Sequence, residues 1–426
     1  MVGRPTGHPH RKSISAMSST TVHQTLSELA IAREDRYGAH NYHPLPVVLE
    51  RGEGVFVWDV EGKRYYDFLS AYSALNQGHN HPVIVNALID QVKKLSLTSR
   101  AFHNNLLGEY EEFITRFFGF DKVLPMNTGA EGVETAIKLC RRWAYEKKGI
   151  PENQAKIIVC EGNFHGRTVT AISASSDPDS YGNFGPFTPG FVKIPYNDLE
   201  ALRKAVSDPM VAGFLIEPIQ GEAGVVVPDD GYLKTAYDVC KASNVLFIDD
   251  EIQTGLCRTG KMLACDHEGV RPDILILGKA LSGGLLPVSA ILADDEIMLC
   301  IRPGQHGSTY GGNPLAARVA IAALQVLRDE QLAENSELLG RLLLKELSAI
   351  EHPMIRKVRG KGLFCAMVIS PKNGKEAWDV CMALKENGLL AKPTHGDIIR
   401  FAPPLIINEQ QLMECVAIIR KTIAQF

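Results

Sequence analysis

The chain has 426 residues, of which 45% are hydrophobic and 22% charged, with 37 glycines and 23 prolines. At about 150 residues per domain this length implies two to three domains, and the composition excludes a collagen, a coiled coil and a disordered chain. A net charge of −4 gives no overall basic field for nucleic acid or anionic lipid, and no stretch approaches the roughly 20 apolar residues that span a bilayer.

From Met1 to Ser27 there is no Asp or Glu, but there are Arg4, Arg11, Lys12 and several serines. This resembles a mitochondrial presequence. Pro5 and Pro9 make a poor amphipathic helix, so a plain disordered tail is an equal reading. The nine cysteines form no C-x-x-C pair, and Cys140, Cys160, Cys300 and Cys365 sit in apolar runs. They read as reduced packing residues rather than disulfides or a zinc site. A cytoplasmic location is expected, with the mitochondrial matrix as the alternative.

The first helix is predicted over Thr21–Tyr37. Asn41 to Pro46 is extended, because residues before proline avoid the helical region. Val55–Asp59 and Lys63–Asp67 form a hairpin around Glu61-Gly62. His81-Pro82 opens a helix to about Lys94. Short apolar strands then follow at Lys156–Cys160, Gly213–Ile216, Val245–Ile248, Ile274–Leu277 and Val288–Leu292. Between them, Val133, Ala136, Ile137, Cys140 and Ala144 line one helical face. Strands that are continuous apolar runs are buried on both sides, so the sheet is largely parallel with helices on both faces. A long helix is predicted from about Leu315 to Arg328, and the remaining hundred or so residues mix strands and helices as a smaller domain.

In such folds ligands gather at the carboxyl ends of the strands. Val245–Ile248 runs into Asp249-Asp250-Glu251, acids that are costly there unless used. Ile274–Leu277 is followed by Gly278-Lys279, where desolvation makes the amine a better nucleophile. A snorkelling surface lysine is the bland reading. A phosphate loop at Gly278-Lys279 is rejected, because Asp273 and Ala280 stand where that motif needs Gly and Ser or Thr. Thr128, Gly129 and Ala130 open the amphipathic helix as a phosphate cradle or a plain N-cap. Phe164, His165 and Arg167 follow the strand 156–160, and Ser308 and Thr309 lie on a Gly-rich loop. His79-Asn80-His81 reads as a structural turn rather than a metal site. A strand-end lysine, an upstream acid, a phosphate cradle and an aromatic together fit pyridoxal phosphate. Lys279 would form an imine with the aldehyde, and the acid would keep the pyridine nitrogen protonated.

The segment Asp250-Glu251-Ile252-Gln253-Thr254-Gly255, followed by Lys279-Ala280-Leu281-Ser282-Gly283-Gly284, resembles the cofactor signature of the fold-type I, class III aminotransferases. The resemblance covers essentially residues 35–426. Tyr37 to Pro46, Pro218 to Gly224 and Lys392 to Pro404 are most similar to the ornithine-type branch. The resemblance implies an α/β fold: a large domain with a mainly parallel seven-stranded sheet flanked by helices, and a smaller α+β domain from N- and C-terminal segments. It divides the chain into a tail and helix (1–35), the first part of the small domain (36–75), the large cofactor domain (76–314) and the C-terminal small domain with its connecting helix (315–426). The implied cofactor is pyridoxal 5'-phosphate, and the implied reaction is ping-pong transfer of ornithine's δ-amino group to 2-oxoglutarate. The implied assembly is a homodimer with shared active sites, without nucleic acid, membrane or metal.

By the same resemblance Lys279 holds the cofactor and moves the proton, Asp250 pairs with the ring nitrogen, Gln253 meets the ring hydroxyl and Phe164 stacks. Gly129 and Ala130 bind the phosphate, and Ser308 and Thr309 reach the phosphate of the other subunit. Arg167 holds ornithine's α-carboxylate and Tyr42 its α-amine, while Tyr72 limits other amines. Arg400 takes the second carboxylate of 2-oxoglutarate, and Glu222 masks Arg400 while ornithine reacts. Two positions depart from the family pattern: Asp249 stands where relatives have a small residue, and His165 where some have Trp. The alternatives are N-acetylornithine or 4-aminobutyrate as donor, or an aminomutase or decarboxylase on the same scaffold.

Overall fold

The computed structural model describes residues 24–426. They form two units, divided after Val48. In the first, a helix spans Leu26–Tyr37. It starts later than the predicted Thr21, because Thr25 and Glu28 form a capping box: Thr25 Oγ1 accepts from the Glu28 N–H and Glu28 accepts from the Thr25 N–H. Residues 21–23, and most of the presequence-like stretch, lie outside the described residues.

The second unit is built on three sheets. β1 (Leu49–Glu53), β2 (Phe56–Asp59) and β3 (Arg64–Asp67) form an antiparallel meander, extended by β13 (Leu389–Leu390) parallel to β3. The hairpin turns at Glu61-Gly62, where Gly62 takes φ +85. Asp59 Oδ1 accepts from the Glu61 and Lys63 N–H groups and so ties the turn down.

The central sheet has seven strands in the order β4 (Lys122–Met126), β10 (Ser289–Ala293), β9 (Ile274–Leu277), β8 (Leu246–Asp250), β7 (Val211–Ile216), β5 (Lys156–Cys160) and β6 (Phe191–Ile194). Neighbours from β9 to β6 are parallel, and β10 is antiparallel to both β9 and β4. The five strands predicted from the sequence are all present. The edge strands β4 and β6 were not among them. The helix Gly129–Trp143 packs Val133, Ile137 and Cys140 against Leu215, Ile248, Ile276 and Ile291 in one buried cluster. Each such aliphatic side chain contributes about 1.5–3 kcal/mol by leaving water.

The third sheet, β11 (Ile355–Lys361), β12 (Phe364–Ile369), β15 (Ile398–Phe401) and β14 (Lys392–Thr394), is antiparallel throughout. The chain after it returns to the segment that follows the N-terminal meander: Ala402 N–H bonds Phe68 O and Leu405 N–H bonds Asn76 O. Arg258 lies fully buried at this junction. Its guanidinium donates to Asn76 Oδ1, Leu363 O and Pro403 O, and burial pulls its pKa down to about 9.

All nine cysteines are free and buried. His79 pairs with Asp67 and His81 with Glu330, each at 2.8 Å, so the two histidines serve separate structural contacts. Among the described residues no helix is long and apolar enough to cross a membrane.

Candidate active site

Because β5, β7, β8 and β9 are parallel, their carboxyl ends open on one edge of the sheet. A cavity of about 200 Å³ lies there, lined by Gly129, Ala130, Phe164, His165, Gly166, Glu217, Asp250, Ile252, Gln253 and Lys279. At one wall the helix Gly129–Trp143 begins. Thr128 Oγ1 accepts from the Glu131 N–H, and the Glu131 carboxylate accepts from the N–H groups of Asn127 and Thr128. The N-cap is present, and Gly129 and Ala130 line the cavity.

Lys279 follows β9 with φ +45, a left-handed conformation that a side chain adopts only at a cost. Burial pulls its pKa below the ordinary lysine range, opposed by Asp250, Glu217 and Glu222 and assisted by Arg400. A lysine so placed has a larger fraction of free amine near neutrality.

Successive residues of a strand face opposite sides, and β8 uses this to separate its acids. Asp250 faces the cavity, with His165 Nδ1 2.7 Å from Asp250 Oδ2 and both side chains buried. Asp249 and Glu251 turn to the other face, beside Cys265. There burial, and then the Glu251 charge, push the Asp249 carboxyl well above its ordinary range. Burial pushes Glu251 up to about 7. The extra acid at Asp249 therefore sits behind the sheet and favours its neutral form.

Glu217, at the end of β7, is buried and ties two loops together: it accepts from the Phe164 N–H at 2.9 Å and from the Gly221 N–H at 3.4 Å. Burial pushes it up to about 7, with the His165 charge opposing. A Cβ built on Gly221 would lie 1.6 Å from Gln253 Oε1, so a side chain there would displace the Gln253 amide from its present position.

Arg400, on β15, is buried, and its Nη1 lies 2.9 Å from Glu222 Oε2. Burial of Glu222 is outweighed by the Arg400 charge and hydrogen bond, which hold the carboxylate below its usual range. Tyr72 stacks on the same arginine, with the guanidinium carbon 5.0 Å from the ring centre. Tyr72 belongs to a turn, Ser70–Ser73, in which four successive non-glycine residues take φ between +45 and +72. Asp67 Oδ1 anchors that turn by accepting from the Leu69 and Ser70 N–H groups.

The profile of the class-III aminotransferases matches residues 37–423. The chain belongs to the class-III aminotransferase family. It is 64% identical to a Drosophila melanogaster protein named "Ornithine aminotransferase, mitochondrial", over 96% of this chain and 94% of that one. Among solved structures it resembles the ornithine aminotransferase of Toxoplasma gondii, with TM-score 0.93, 49% identity and coverage of 95% of this chain and 96% of that one. It also resembles the structure named acetylornithine aminotransferase from Elizabethkingia anophelis, with TM-score 0.87, 60% identity and coverage of 95% and 100%.

Class-III aminotransferases use pyridoxal phosphate, and the cavity fits it. Free helix-start N–H groups suit a phosphate, Phe164 offers a ring face, and Asp250 is an acid for the ring nitrogen. Gln253 Oε1 and His165 Nε2 are buried there without protein partners.

The expectations for this aminotransferase divide by place. Gly129, Ala130, Phe164, Asp250, Gln253 and Lys279 line one cavity. Glu222, Arg400 and Tyr72 form a second cluster. Arg167 is exposed, 5.4 Å from the centre of the Phe164 ring. Ser308 and Thr309 are not among the residues lining the cavity; Ser308 Oγ bonds Asn127 and the Gly311 N–H in the same chain. Tyr42 belongs to the N-terminal unit. Glu217 and the His165 contact were not foreseen. The signal for Glu217 was available, since it is an acid ending a buried strand, as Asp250 is.

Proposed function

We propose that this aminotransferase moves the δ-amino group of ornithine to 2-oxoglutarate, giving glutamate 5-semialdehyde, which cyclises to pyrroline-5-carboxylate, and glutamate. The observation that carries the proposal is the 2.9 Å pair between Glu222 and buried Arg400. An enzyme that must first react a terminal amine and then bind a dicarboxylate needs an arginine that can be hidden and exposed in turn. The 64% identity to a protein of that name supports the same reading.

When bound, pyridoxal phosphate supplies an electron sink that accepts the electron pair released as the proton leaves the substrate carbon. The chain's own groups do the rest. Lys279 would hold the cofactor, and its amine would carry a proton to and from the substrate carbon. Its lowered pKa favours the base form this requires. Asp250 keeps the ring nitrogen protonated, Gln253 meets the ring hydroxyl, Phe164 stacks, and the Gly129 and Ala130 N–H groups bind the phosphate. Arg167 holds ornithine's α-carboxylate and Tyr42 its α-amine, which directs the δ-amine to the reacting centre. Tyr72 narrows the pocket. With Glu222 on Arg400, that guanidinium is masked from the α-carboxylate. With Glu222 displaced, Arg400 and Arg167 hold the two carboxylates of 2-oxoglutarate. Ser308 and Thr309 serve the phosphate of a second subunit, so the working form is a homodimer. The mitochondrial name of the fruit-fly relative favours a mitochondrial over a cytoplasmic location.

N-acetylornithine is the second donor to weigh, because the Elizabethkingia structure, 60% identical, carries that name. The cofactor-loaded protein is mixed with ornithine, N-acetylornithine or 4-aminobutyrate, with and without 2-oxoglutarate, and pyrroline-5-carboxylate is trapped. The proposal expects ornithine alone to bleach the cofactor, 2-oxoglutarate to restore it, and pyrroline-5-carboxylate to accumulate. Another amine reacting as fast would overturn the donor assignment, and Tyr42→Phe losing all three donors equally would overturn the role of Tyr42.

A further inference from the structure

The two oxygens of Glu222 have different partners. Oε2 meets Arg400 Nη1 at 2.9 Å, while Oε1 accepts from the Thr394 hydroxyl at 3.1 Å. The same hydroxyl reaches Glu222 O at 3.1 Å, and Arg400 Nη1 reaches Gly221 O at 3.4 Å. Thr394 ends β14 and Arg400 lies in β15, the adjacent antiparallel strand. The buried Thr394 and Arg400 thus grip one short loop from neighbouring strands.

We propose that Thr394 is the latch of the Glu222 gate. Its hydroxyl holds the Glu222 carboxylate on Arg400 and so sets how readily a dicarboxylate can take that arginine. This rests on the gate reading above and adds the residue that tunes it. A dicarboxylate binds only the fraction of molecules in which Glu222 has left Arg400, so its apparent affinity is scaled by that fraction. Leaving breaks two contacts, one ionic and one to Thr394. The ionic contact is lost to any dicarboxylate and returned by the ligand itself. The hydroxyl contact with Oε1 belongs to the closed state alone, whereas the one with Glu222 O need not break, which makes the Oε1 contact the adjustable part. Threonine suits the task because its branched side chain restricts where the hydroxyl points. Lys392, on the same strand, and His395 also face Glu222 electrostatically and remain in place when Thr394 is changed.

The test uses glutarate, a dicarboxylate with neither amine nor keto group, on the cofactor-loaded protein. A hydrogen bond to an ionised carboxylate corresponds to roughly a ten- to hundredfold change, toward the lower end here because the hydroxyl's one proton is shared with Glu222 O. Thr394→Val keeps the side-chain shape and removes the donor. It is expected to tighten glutarate binding by that factor and to lower KM for 2-oxoglutarate in step. Little change is expected in the first half-reaction with ornithine, and Thr394→Ser restores wild-type behaviour. In a Glu222→Ala background the Thr394→Val change has no effect on glutarate, because the latch has nothing left to hold. Unchanged or weaker glutarate binding in Thr394→Val, or an effect that persists without Glu222, overturns the latch. If the wild type turns over ornithine while these comparisons fail, the latch alone falls. If ornithine is not a substrate, the functional reading above falls, and the glutarate comparison still decides the latch.

Discussion

His165 Nδ1 lies 2.7 Å from Asp250 Oδ2, and both side chains are buried at the floor of the cavity. Burial alone would lower the His165 pKa, but the Asp250 hydrogen bond and charge, with Glu217, leave it above the ordinary histidine range. The imidazole thus fixes the orientation of the acid proposed to meet the cofactor's ring nitrogen. Hydrogen bonds to charged groups contribute about 1.5–3 kcal/mol. His165→Phe is therefore expected to weaken cofactor retention by roughly ten- to a hundredfold, read by equilibrium dialysis of the loaded protein. Retention as in the wild type would show that Asp250 does not need this partner.

Lys279→Ala removes the group proposed to hold the cofactor and to carry the proton. Activity should fall on the order of a thousandfold or more. Borohydride treatment of the loaded wild type, followed by peptide mass spectrometry, should place the cofactor on Lys279. A label on any other lysine contradicts the assignment.

The side chains of Asp249, near the end of β8, and Glu251, just past it, are buried together beside Cys265. Both carboxyl groups are raised in the folded state, Glu251 to about 7. The sign follows from linkage: below the unfolded value of about 4 both states are protonated. As pH rises through the folded values, the unfolded chain has already released protons that the folded one keeps, and stability is lost. Asp249→Asn removes one such acid. The variant should be more stable than the wild type at pH 8, and the difference should shrink toward pH 4. Thermal midpoints compared across that range give the answer, and a difference independent of pH would refute the account.

Ala71 is exposed and sits in the left-handed turn with φ +45. A side chain there costs roughly 1–2 kcal/mol, and glycine would return about 0.4–1 kcal/mol of that through the greater freedom of the unfolded chain. Ala71→Gly should therefore raise stability by up to about 1 kcal/mol, while Ala71→Val should lower it. Calorimetric midpoints shifting in the same direction for both would refute the strain.

Legibility in the sequence followed burial. The strands at 156–160 and 274–277 were read with their observed limits because uninterrupted apolar runs mark strands covered on both faces. β4 and β6 escaped because edge strands are only half covered: Lys122-Val123-Leu124-Pro125-Met126 carries a charge and a proline, and Lys193 is exposed in β6. Asp250 and Lys279 were visible as polar residues at strand ends. The His165–Asp250 contact was not, since it joins residues 85 positions apart. Nor was the turn at Ser70–Ser73, whose residues include no glycine or asparagine to announce positive φ. The roles expected of Lys279 and the strand-end acid follow from their positions, whereas those of Tyr42, Tyr72, Arg167, Glu222, Gln253 and Arg400 rest on the resemblance to a family.

Arg258 donates its hydrogen bonds to Asn76 Oδ1, Leu363 O and Pro403 O. During synthesis the first of these precedes it and the last emerges when almost the whole chain has been made. Until then the guanidinium has no finished interior to enter, and a buried cation without its partners is strongly unfavourable. The junction between the central sheet and the C-terminal strands must therefore close late. A chain ending shortly before residue 403 should be held back in an open, chaperone-dependent form even though most of its strands are already present.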